Sequence, residues 1–95
     1  MSETTSTAVL TTPNASRYLQ QLCKHFAHKI PATFDAEQGK IEFPFGTCTL
    51  AAGPETLTLT AQTAEPETLD RLEEVIASHL VRFAFREDLT VSWTR

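Results

Sequence analysis

Apolar and polar positions repeat with two different periods along this chain, and each change of period marks an element. From Ser6 to Thr12, Val9 and Leu10 sit among threonines and Pro13 closes the stretch, which predicts a short strand. Asn14 is then placed to cap a helix, its side-chain oxygen accepting from the free amides of the first turn. Leu19, Leu22, Cys23, Phe26 and Ile30 recur in steps of three and four. The helix therefore runs to about Lys29, because Pro31 disfavours a helical conformation at Ile30. Arg17, Gln21, Lys24 and His28 fall on the opposite side.

A period of two follows. Ala32–Asp35 and Lys40–Phe43 read as a hairpin around the turn Ala36-Glu-Gln-Gly39. Pro44-Phe-Gly46 interrupts the pattern as a tight turn or bulge. Thr47–Ala52 and Glu55–Ala61 then pair around Gly53-Pro54. Cys48, Leu50, Leu57, Leu59 and Ala61 point one way, and Thr47, Thr49, Thr56, Thr58, Thr60 and Gln62 the other. Such alternation marks a sheet with one buried and one wet face. The helical period returns after Pro66, a favourable first helical residue, with Glu65, Glu67 and Asp70 suited to the positive end of the helix dipole. Leu69, Leu72, Ile76, Leu80 and Phe83 form its stripe, and its end is expected near Glu87-Asp88. Leu89–Trp93 alternates again as a last strand.

The elements define one α+β domain over residues 1–95, in the order β-α-β-β-β-β-α-β. The expected architecture is a two-layer sandwich, two antiparallel helices on one face of a mainly antiparallel sheet. Tyr18, Leu22, His25 and Lys29 line one edge of the first helix, and Leu72, Val75, His79 and Arg82 the matching edge of the second. Tyr18 and Val75 widen the apolar stripes on that side, so these edges are expected to meet.

Composition narrows the function classes. The 95 residues are 41% hydrophobic and 21% charged, ordinary values for a globular chain, with a net charge of −4. An acidic balance, with threonines rather than aromatic and basic side chains on the open face, argues against nucleic-acid binding. No stretch approaches the ~18 apolar residues of a membrane span, and Met1–Thr7 lacks the pattern of a secretory signal, so the expected address is cytoplasmic, with no membrane partner. Cys23 and Cys48 lack the spacing of a zinc site or disulfide framework and fall on core faces.

The candidate chemistry lies with the histidines. His25 and His28 stand one helical turn apart, and His79 faces His25 across the proposed seam, a grouping of imidazoles suited to iron or zinc. Against it, Lys24 and Lys29 would repel a cation, and no carboxylate is clearly placed as a further ligand. No serine sits in a nucleophile elbow, and Ser78 and His79, adjacent on a helix, point too far apart to act as a dyad. The acidic residues of the second helix read as a solvated face. Arg82, Arg86 and Arg95 could grip a carboxylate, although basic residues near a helix C-terminus are ordinary.

The stretches Thr12-Pro-Asn-Ala-Ser-Arg-Tyr-Leu-Gln-Gln-Leu-Cys-Lys-His-Phe-Ala-His-Lys29, Phe43-Pro-Phe-Gly46 and Ala77-Ser-His-Leu-Val-Arg-Phe-Ala-Phe-Arg-Glu87 resemble the bacterial family of domain of unknown function 2218. The likeness runs from about Thr4 to Arg95. It implies a stand-alone domain without assigned catalytic residues, some of whose relatives are fused to flavin-dependent siderophore-interacting reductases. The leading expectation is therefore a non-catalytic binding or accessory domain associated with iron or siderophore metabolism. Its metal-ligand candidates are His25, His28 and His79, and a siderophore-interacting reductase is a candidate partner. The alternative is a homodimerisation or protein-interaction module, with a second copy of the chain as partner. An enzyme is the third reading, and nothing in the motifs supports it.

Overall fold

The computed structural model describes residues 4–84 and 91–94. Its elements are β1 (Thr4–Thr11), α1 (Ala15–Ala27), β2 (Ala32–Phe34), β3 (Gln38–Phe43), β4 (Gly46–Ala52), β5 (Thr56–Thr63) and α2 (Pro66–Phe83). The strands form one sheet in the order β1-β5-β4-β3-β2, with every neighbouring pair antiparallel. The last expected strand is present as a single antiparallel bridge, Thr94 to Thr7, with backbone bonds of 2.9 and 2.8 Å in the two directions. Its first residues, Leu89 and Thr90, lie outside the described residues.

Both helices lie on one face of this sheet, α1 over β2, β3 and β4 and α2 over β5 and β1. The predicted alternation holds. Ser6, Ala8 and Leu10 of β1, Ile41 of β3, Cys48 and Leu50 of β4, and Leu57, Leu59, Ala61 and Thr63 of β5 are buried beneath the helices. Leu19, Leu22 and Cys23 meet them from α1, and Leu69, Leu72, Ile76 and Leu80 from α2, all fully buried. A leucine or isoleucine buried this completely contributes roughly 1.5–3 kcal/mol by leaving water, so this single core accounts for the packing of both layers.

Three local expectations are corrected. Asn14 occupies the N-cap position of α1 but makes no side-chain cap bond; its backbone N–H instead donates to Thr12 Oγ1 at 3.1 Å. The first hairpin turns at Asp35, whose Oδ1 accepts from the N–H groups of Glu37 (2.8 Å) and Gln38 (2.7 Å). That Asx-type turn leaves Gly39 inside β3, opposite Phe34. Finally, α2 ends at Phe83 with Ala84 as C-cap, whose N–H bonds to the Leu80 carbonyl at 3.0 Å. Glu87 and Asp88 lie outside the described residues.

Candidate functional site

The predicted helix edges do meet. His25 of α1 and His79 of α2 approach with ring centroids 4.8 Å apart and planes inclined at 45°. His79 is half-buried, and its Nδ1 lies 2.7 Å from the Val75 carbonyl oxygen one turn earlier. A carbonyl can only accept, so Nδ1 carries a proton, and in the neutral ring Nε2 is the nitrogen with the free lone pair. A backbone carbonyl that fixes the tautomer in this way is the usual outer support of a metal-binding imidazole.

The pair sits at one end of a row of aromatic rings. His25 is edge-on to Phe26 at 5.2 Å and to Phe83 at 5.8 Å, and Phe26 lies 4.9 Å from His79. Phe26 continues to Phe43 at 5.0 Å and Phe43 to Phe45 at 5.6 Å, where the Arg71 guanidinium covers the ring at 5.2 Å. The edge-to-face pairs in the row, such as Phe26 with Phe43, contribute about 0.5–1.5 kcal/mol each beyond their burial. The tight turn Pro44-Phe45, set by the pairing of Phe43 with Gly46, brings the strand phenylalanines to the seam. Sequence reasoning missed this row. Its signal was present, since Phe43 and Phe45 flank a proline beside a helix bearing Phe26.

The surroundings of His25 favour its neutral form. Partial loss of hydration, then the positive charge that His79, His28, Lys29 and Arg82 can carry, holds its pKa below the ordinary histidine value. A neutral imidazole is the form that donates a lone pair to a metal. His28 stands exposed at the C-cap of α1, and its influence on His25 is electrostatic. Among the described residues, no three or more His, Cys, Asp or Glu side chains are grouped to hold a metal. The three histidine candidates thus resolve into one pair and one outlying ring.

The serines find structural partners. Ser78 Oγ donates to the same Val75 carbonyl at 3.2 Å that His79 uses, so serine and imidazole share an acceptor and neither activates the other. Ser16 Oγ donates to the Ala36 carbonyl at 2.5 Å, fastening α1 to the first hairpin turn. Burial pushes the Cys23 thiol up to about 11, and burial followed by the nearness of Cys23 raises Cys48 further, so neither is a thiolate at neutral pH. Glu65, Glu67, Asp70 and Glu74 lie exposed on α2. Of the three arginines considered, Arg82 is exposed in the last turn of α2, while Arg86 and Arg95 fall outside the described residues.

Comparison with known proteins agrees with this fold. The model of a family described as "uncharacterized protein conserved in bacteria" (DUF2218) matches residues 7–94. The NMR structure of PA4090 from Pseudomonas aeruginosa is similar with a TM-score of 0.80 and 33% sequence identity, over 95% of this chain and 94% of that one. No curated protein matches at significant similarity. Among the described residues, no helix is long and apolar enough to cross a membrane.

Proposed function

The chain belongs to this bacterial family, DUF2218, and from that premise we propose that it is a small binding domain accessory to iron or siderophore metabolism. In this reading His25 and His79 form the contact point for a chelated cation. The observation that carries it is the paired imidazoles, 4.8 Å apart, one of them tautomerically fixed by a backbone carbonyl. Two nitrogens fill only part of the coordination sphere of zinc or ferrous iron, and the described residues add no third ligand. A resident metal held by the protein alone does not fit this donor set. A cation arriving with its own chelator does fit, because the chelator's oxygens supply the missing positions. Lys29 and Arg82, unfavourable beside a bare cation, would suit the negative charge of such a chelate. The iron assignment itself, and a siderophore-interacting reductase as partner, rest on the family resemblance.

The test is an NMR titration of the histidine ring signals with zinc, then ferrous iron, each with and without a hydroxamate or catecholate chelator. Concerted shifts of His25 and His79 that saturate at about one equivalent only when the chelator is present are the expected result. His25→Ala and His79→Ala should each abolish them. Rings that respond weakly and independently in every case would return the pair to a packing role and move the search to protein partners, a second copy of the chain first.

A further inference from the structure

On the side away from both helices, the polar face of the sheet carries a shallow, open groove of about 620 Å³. Its lining includes Thr33, Lys40, Thr49 and Thr60, with Asp35 and Gln38 toward one end. The register sets the first four in a single row across the strands: Thr33 pairs with Lys40, Lys40 with Thr49, and Thr49 with Thr60. Neighbouring strands lie about 4.8 Å apart, so this row presents one ammonium among three hydroxyls at regular spacing.

A second row lies alongside. Gln38 pairs with Ala51 and Ala51 with Thr58, while the Asp35 N–H donates to the Gln38 carbonyl at 2.8 Å, placing Asp35 at the row's end. The two backbone N–H groups bound to Asp35 hold its carboxyl below the usual range, so it stays ionised as an acceptor. The groove therefore offers hydrogen-bond donors with a positive charge along one row and acceptors at the edge of the other. Lys40 can only donate, whereas threonine hydroxyls turn either way.

That arrangement selects its ligand. Lys40 flanked by hydroxyls suits one oxyanion group. A second anionic group would meet Asp35, or Glu42, which lies on the same open face two residues beyond Lys40. Neutral hydroxyls on the ligand, by contrast, find acceptors at Asp35 and Gln38. We propose that this groove binds a small hydroxylated molecule carrying one oxyanion group, of the sugar-phosphate or sugar-acid class. Lys40, Thr49 and Thr60 take the anion, and Asp35 and Gln38 take the hydroxylated body. The assignment is independent of the histidine seam, which lies on the opposite layer.

The experiment is a titration of the isotope-labelled full chain with four probes: glucose 6-phosphate, gluconate, glucose and inorganic phosphate. Saturable shifts at the amides of Thr33, Lys40, Thr49 and Thr60 are expected with glucose 6-phosphate or gluconate, and which of the two binds tighter identifies phosphate or carboxylate as the head group. Glucose and inorganic phosphate should each bind about tenfold more weakly, each lacking half of the recognition. Lys40→Gln, at an exposed position, should weaken binding about tenfold while leaving the rest of the spectrum in place. No saturable shift up to about 20 mM would overturn the proposal, as would unchanged affinity in Lys40→Gln. Inorganic phosphate binding as tightly as glucose 6-phosphate would reject the hydroxylated ligand class.

Discussion

Ser6 turns its side chain into the core from β1, fully buried, and its Oγ has no hydrogen-bond partner among the described residues. Thr63, equally buried at the end of β5, donates to the Glu65 carbonyl at 2.7 Å. The comparison isolates the cost of an unpaired hydroxyl, which is about 1–3 kcal/mol of lost hydration. Ser6→Ala removes that cost at little change in volume, so urea denaturation should show a stability gain of about 1 kcal/mol. A loss of similar size would mean that the hydroxyl is satisfied in solution. His79 follows the same logic from the other side, since a half-buried ring nitrogen is kept inexpensive by the Val75 carbonyl within its own helix.

At the scale of elements, two glycines act through the space they leave. Among the described residues no glycine has a positive φ, so none is required for a left-handed turn. A Cβ at Gly46 would stand 2.6 Å from the Gln62 carbonyl oxygen and 2.6 Å from Thr63 Cγ2, with Leu72 at 3.0 Å. This close approach of β4 to β5 beneath α2 cannot relax without moving backbone. Gly39 gives the same relief under α1, where Cys23 Sγ would lie at 2.7 Å. At Gly53 the nearest atom is Thr56 Oγ1 at 3.0 Å, the end of a side chain that can rotate. Gly46→Ala is expected to cost about 1–3 kcal/mol, and Gly53→Ala to be neutral or to stabilise by up to about 1 kcal/mol. Parallel chemical denaturation of the two variants checks the contrast, and equal effects would contradict it.

In the whole molecule the connection through α1 carries the chain from one edge of the sheet to the other, because β1 and β2 are its two outermost strands. That crossing lays α1 beside α2 and creates the histidine seam, through which pH is expected to act on global stability. His25 titrates lower in the fold than its ordinary value of 6.5. Between the folded and unfolded values the unfolded chain binds the proton that the fold refuses, so stability rises with pH there. The contribution is complete above the unfolded value and is lost as pH falls through the folded one. Urea midpoints should accordingly decline from about pH 7.5 to about pH 5, and His25→Gln should flatten that decline. A slope unchanged in the variant would place the acid sensitivity elsewhere.

The faces of the elements were legible in the sequence because periodicity is a local property. Leu19, Leu22, Leu72 and Ile76 mark the helix stripes, and alternation from Thr47 to Ala61 separates the core face from the threonine face, whatever strand lies beside which. Even the meeting of His25 with His79 followed from matching the edges of two helices on a common sheet. Four features depended on the tertiary structure. The Asp35 side chain competes with glycine to place the first turn, and only its contacts decide the outcome. The order β1-β5-β4-β3-β2 is a choice among long-range pairings that alternation does not encode. The aromatic row and the Lys40 groove likewise assemble side chains from separate strands and helices, and their positions become fixed relative to one another only when the sheet registers and the two layers close.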